Sequence, residues 1–160
     1  MKNIVKRTTL IVRNMEVSLP WYREVLSMSV HYDKPVTLSG GGMAAGKTGD
    51  VTRLVILKCE DPVIGMIGLL QWLDPPLPAP QGIPTGVTYG NPTFVCSSDD
   101  SAEAHRRAVA LGTRVHAAPH EWSVEGADGS IKYFLGTSLF DPDGYFYEFN
   151  QLLRVEPRTP

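Results

Sequence analysis

The sequence predicts an α+β protein built from two β-α-β-β-β modules in tandem. Three observations lead there. Strand-like and helix-like stretches come in the same order twice. A faint internal repeat relates the halves: "VLSMSVH" (25–31) resembles "ALGTRVH" (110–116), and "RTTLIVR" (7–13) resembles "NPTFVCS" (91–97). Offsets of 85 and 84 residues fix the repeat, and a repeat of this kind decides the fold. Between the copies lies "LDPPLPAPQGIPTG" (73–86), whose prolines favour an extended linker. Module one is therefore expected over 7–72 and module two over 88–151.

Each element has its own warrant. "RTTLIVRN" (7–14) is β-branched and short, a strand signal. "NMEVSLPWYREVLSM" spaces Trp21, Tyr22, Val25 and Leu26 as one helix face. Asn14 and Ser18 both suit its cap, and Pro20 suits a first turn. "SVHYDK" (29–34), "TRLVILKC" (52–59) and "GMIGLLQW" (65–72) read as three strands. In the second half, "NPTFVCS" (91–97) is a strand, followed by a helix over 99–112. Asp100 caps that helix, Glu103 follows three residues on, and Gly112 ends it. "TRVHAA" (113–118) is a strand. "SIKYFLGTSLF" (130–140) and "YFYEFNQ" (145–151) form a hairpin across Asp141-Pro142-Asp143-Gly144.

Composition narrows the function. With 160 residues the chain buries roughly 70% of its unfolded surface and needs no disulfide staple. Its net charge of -2, with both signs scattered, argues against nucleic acid and anionic membrane as partners. Cys59 and Cys96 read as two buried reduced thiols, which suits a cytoplasmic setting. Charges interrupt the apolar N-terminal stretches, so no signal peptide is expected. The longest apolar run (63–73) is too short to span a bilayer.

"TTLIVRNMEVSLPWYREVLSM", "YGNPTFVCSSDDSAEAHRRAVALG" and "FDPDGYFYEFNQ" together resemble the vicinal oxygen chelate superfamily. That group includes glyoxalase I, extradiol dioxygenases, methylmalonyl-CoA epimerase, and fosfomycin- and bleomycin-resistance proteins. The resemblance spans about 7–151 and implies that each module curls into half a barrel enclosing a small-molecule cavity. It also implies a homodimer. The family's metal-dependent members place four ligands at positions that fall here on Arg7, Gly68, Asn91 and Glu148. Only Glu148 is a good ligand, since Arg cannot ligate and Asn suits transition metals poorly. Gln71 reaches the fourth-strand position only if that strand slips, because 68 and 71 face opposite ways. No metal and no cofactor are therefore expected, and metal-dependent glyoxalase or dioxygenase chemistry is disfavoured.

Strand alternation then lists the cavity wall. Phe146 and Asn150 share the face of Glu148. A four-residue turn would pair 137 with 148, placing Thr137 opposite Glu148, with Tyr133, Leu135 and Leu139 beside it. The first strands add Arg7, Thr9, Ile11, Asn91, Thr93 and Val95. Arg7 and Glu148 stand at former ligand positions and are expected to pair there, with Asn91 bonding one or both. Two functions follow. One is a binder of a small organic molecule, without a metal. The other is a metal-independent isomerase or lyase with Glu148 as acid or base and Arg7 as oxyanion partner.

Three other features are decoys or minor contributors. "GGMAAGKT" (41–48) has the spacing of a phosphate-binding loop, but a strand follows it instead of the required helix. It reads as a Gly-rich loop, a possible lid. His116 and His120 are four apart, but Pro119 argues against a helix between them. His120, beside Glu121 and Trp122, is a candidate for the cavity mouth. Trp21, Tyr22, Tyr145, Tyr147 and Phe149 read as core or interface.

Overall fold

In the computed structural model, which describes residues 3–61, 63–78 and 80–157, each half of the chain folds as one β-α-β-β-β module. The elements are β1 (Arg7–Ile11), α1 (Met15–Glu24), β2 (Ser29–Thr37), β3 (Val51–Lys58) and β4 (Met66–Asp74). Then come β5 (Thr93–Ser97), α2 (Ser101–Ala110), β6 (Val115–Glu125), β7 (Ile131–Phe140) and β8 (Phe146–Glu156). The chain divides into two compact units, Met1–Gly82 and Ile83–Pro160.

In the first unit the strands lie in the order β1-β4-β3-β2. β1 and β4 are parallel, and the other pairs are antiparallel. A parallel pair needs a long crossover, and α1 begins it by carrying the chain away from β1. The meander β2-β3-β4 then returns it. Residues alternate between the faces of the sheet. Leu10, Val55 and Leu69 share one row and are 3%, 0% and 0% exposed. That face meets α1: the Gln71 side chain accepts the Met15 N–H at 2.7 Å, and Arg53 reaches Glu16 at 2.7 Å. Arg53 also forks onto both oxygens of Asp33, at 2.9 and 2.8 Å, and holds that carboxyl below its ordinary range.

The second unit repeats the plan as β5-β8-β7-β6, with β5 and β8 parallel. Gln151 takes the role of Gln71 and accepts the Ser101 N–H at 3.2 Å, where α2 begins. The helix-facing row includes Thr137, Leu139, Tyr147 and Phe149, none more than 3% exposed.

Several expectations change. Asn14 caps α1, not Ser18, and Pro20 sits inside the helix instead of in its first turn. Asn14 and Gln71 satisfy N–H groups of the first turn, so the helix starts earlier than the proline suggests. β2, β6 and β8 run further than their apolar patterns, and His120 therefore lies within a strand. Cys59 is exposed rather than buried.

The expected four-residue turn at 141–144 is in fact five residues long. Asp141 Oδ1 accepts the backbone N–H groups of Asp143 and Tyr145 at 3.0 and 2.7 Å, while Gly144 takes a positive φ of 93°. Phe140 therefore pairs with Phe146, and Ser138 rather than Thr137 with Glu148. A slip of one residue moves a whole strand's side chains to the other face. Thr137 and Tyr133 thus leave the face of Glu148. Thr137 is buried and donates to the Ala117 carbonyl at 2.7 Å. Tyr133 bonds Glu156 at 2.9 Å and carries the Arg154 guanidinium over its ring.

The repeat also sharpens. The caps Asn14 and Asp100 are 86 residues apart, as are the starts of β1 and β5. The counterpart of Arg7 is then Thr93. Asn91 precedes β5 in a turn, where its N–H donates to Thr88 O at 3.1 Å and its Oδ1 accepts from Thr88 N at 3.2 Å.

Candidate functional site

The face of the second sheet that points away from α2 gathers Glu148 with a run of aromatic rings. β8 supplies Phe146, Glu148 and Asn150 at alternate positions. β7 sets Phe140, Ser138 and Gly136 directly opposite them, in that order. β5 adds Thr93, Val95 and Ser97 on the far side of the same rows, and all three are exposed. This face is open where its reverse is packed: Phe146, Glu148 and Asn150 are partly exposed, between buried Tyr147 and Phe149.

Two aromatic groups flank the carboxylate. On one side Phe140 and Phe146 lie 5.0 Å apart, and the His116 ring meets Phe146 edge-on at 5.6 Å. Arg114 lies 3.6 Å over the Phe140 ring and donates to the Pro84 carbonyl at 2.8 Å, so this cation is already engaged. On the other side Trp122 and Phe134 stack at 4.9 Å with 21° between their planes. Trp122 lies across Gly136. A Cβ there would sit 2.5 Å from the indole Nε1 and 3.1 Å from Asn150 Oδ1, so only glycine leaves the ring its place. His120 pairs with Gly136 across β6 and β7, and its Nδ1 lies 2.9 Å from the Ala118 carbonyl.

The polar groups between these rings are uncommitted. Within its own unit, and among the described residues, Glu148 makes no hydrogen bond or ion pair. The same holds for the side chains of Asn150 and Trp122. A carboxylate acceptor, an amide and an indole N–H donor thus stand on one apolar face. Recognition sites for small molecules combine these elements.

In the first unit Arg7 and Thr9 close over Gly68. A Cβ at 68 would meet Thr9 Oγ1 at 2.8 Å and Arg7 Cδ at 3.3 Å. The Gly-rich loop joins β2 to β3 and bears no helix, as its sequence context requires. Asp50 pins it: Oδ2 accepts the Lys47 N–H at 2.9 Å and the Trp72 indole N–H at 3.0 Å.

The residues do not fit a divalent metal of the kind the fold family uses. Gly68 offers no side chain, Arg7 repels a cation, Thr93 is a weak donor paired with Phe146, and the β5 residue across from Glu148 is the apolar Val95. Gln71 is spent on the start of α1. Among the described residues no three His, Cys, Asp or Glu side chains cluster as a metal group would require.

Alternation along one strand puts Glu148, Phe146 and Asn150 on one face, and the pairing of β7 and β6 adds Trp122, Phe134, Gly136, Ser138 and Phe140, which the sequence reading did not place there. The signal was present: an Asp at the first position of the turn can fold back onto later N–H groups and lengthen it.

This architecture agrees with comparisons to known proteins. The family model for the Glyoxalase/Bleomycin resistance protein/Dioxygenase superfamily matches residues 4–149, and the chain belongs to that superfamily. A solved glyoxalase-family protein from Bacillus cereus is similar over 96% of this chain and 98% of its own, at 15% identity and a TM-score of 0.71. Glyoxalase I of Leishmania major is similar at 15% identity, over 94% of this chain and 87% of its own, with a TM-score of 0.60. TnmS3, an antibiotic-binding protein from a Streptomyces species, is similar at 16% identity, over 95% and 98%, with a TM-score of 0.56. At these identities the likeness concerns the fold. No curated protein matches the chain. Among the described residues, no helix is long and apolar enough to cross a membrane.

Proposed function

We propose that this protein binds a flat aromatic organic molecule, without a metal, on the Glu148 face of its second sheet. The observation that carries the reading is the stacked Trp122–Phe134 pair, with Trp122 against Gly136, on the same face as Phe146, Glu148 and Asn150. Such a surface holds a planar ring by stacking and apolar burial, while Asn150 and the indole N–H orient its polar edge. The antibiotic-binding neighbour shows that a similar fold can carry a binding role. A homodimer and a cytoplasmic setting remain part of the proposal.

The test is a calorimetric titration with 2-naphthalenemethanol, a neutral planar probe. Micromolar or tighter saturable binding is expected, weakened about tenfold or more by Trp122→Ala. Absence of saturable binding, or equal binding by the variant, would sink the reading.

A further inference from the structure

We infer that the ligand carries a positive charge next to its ring, and that Glu148 receives it. This rests on the binding reading above and specifies its ligand class.

Glu148 is the only carboxylate on its strand between Phe146 and Val155, and it stands between two aromatic groups. Phe140, Phe146 and His116 lie to one side, and Trp122 and Phe134 to the other. A partly buried carboxylate among rings loses hydration and needs an opposite charge or donors to offset that loss. Among the described residues, its own unit forms neither a hydrogen bond nor an ion pair to it. The cations of this sheet are committed or distant. Arg114 is held by Phe140 and the Pro84 carbonyl, and Arg154 by the Tyr133 ring and Glu156. Lys132 pairs across to Val155, at the far end of β8 from Glu148.

The same rings favour the same charge. Aromatic faces attract ammonium groups through their quadrupoles, most strongly Trp, and desolvation strengthens the attraction. A carboxylate set between such faces is the arrangement that recognises alkylated ammonium. The occupant that completes the site is therefore an arylalkyl ammonium, protonated or quaternary: its ring on Trp122 and Phe134, its cationic nitrogen toward Glu148. Ser138, opposite Glu148 on β7, adds a hydroxyl within the same row.

Three naphthalene probes separate this inference from the reading beneath it. They are (2-naphthylmethyl)trimethylammonium, neutral 2-naphthalenemethanol and anionic 2-naphthoate, titrated into the full chain. The cation is expected to bind about tenfold more tightly than the alcohol, and the naphthoate most weakly. Glu148→Gln should remove the cation's advantage, so that cation and alcohol bind about equally. In the unaltered protein, raising salt from 0.05 to 0.5 M should shrink the advantage, which gives a second readout if the variant misfolds. Equal affinities for cation and alcohol, or tightest binding by naphthoate, would overturn the inference while leaving an aromatic site standing. Failure of all three probes to bind would overturn both.

Discussion

Two glycines decide what the neighbouring side chains can do. Gly68 lets the Arg7 stem and Thr9 Oγ1 close over bare backbone, and Gly136 lets the Nε1–Cδ1 edge of the Trp122 indole do the same. The contact at Gly136 is the tighter, since a new methyl group would fall 2.5 Å from the indole nitrogen. Gly136→Ala must therefore tilt Trp122 out of its stack with Phe134. It should destabilise the fold by about 1–3 kcal/mol, as overpacking does, and abolish naphthalene binding. Urea denaturation with a parallel titration checks both, and a variant that keeps full stability and affinity would show that Trp122 does not rest on Gly136. The sequence disclosed Glu148, Phe146 and Asn150 because alternation along one strand is a local property. It hid Trp122, Phe134 and Ser138 because their placement depends on the length of one turn. Asp141 lengthens that turn by taking two N–H groups on a single oxygen, and hydropathy patterns do not record this.

Among the elements, the helices show how the two modules solve one problem alike. Each helix start offers unpaired N–H groups, and each is met by a side-chain cap and by a glutamine from the last strand of its module. Neither role was legible in the sequence: Gln71 enters there only as a ligand that a strand slip would require, and Gln151 has no assigned role. The extents of β6 and β8 were equally hidden, because pairing with β7 sustains them beyond their apolar patterns. α2 carries its own electrostatic signature. Arg106 and Arg107 bond Glu103 at 2.6 and 2.8 Å and depress its carboxyl from 4.5 to about 2. A depressed acid stabilises the folded state above its unfolded value, and that contribution fades as pH falls through the folded value. The stability advantage of the unaltered protein over Glu103→Gln should thus be full at pH 7 and shrink steadily from about pH 4.5 toward pH 2. It should be small throughout, since the pair is exposed. Urea midpoints of both proteins across that range give the answer, and an advantage that grew on acidification would reverse the assigned sign.

At the scale of the molecule, the repeated module was the most legible feature. Two orders of elements, a proline-rich interval and paired motifs point to one fold, and consistency across levels of this kind is what makes a fold readable. Activity was far less legible, because the superfamily's fold serves many chemistries and this chain has replaced most of the metal-ligand types. What it retains is one carboxylate on an aromatic face. The three tryptophans permit a direct trial of that account. Trp21 and Trp72 are buried, at 1% and 5% exposed, and only Trp122 lies on the Glu148 face. In a two-dimensional 1H–15N spectrum, titration with (2-naphthylmethyl)trimethylammonium should shift the Trp122 indole N–H resonance saturably and leave the other two in place. Saturable binding that moves Trp21 or Trp72 while Trp122 stays fixed would contradict the account and put the ligand elsewhere.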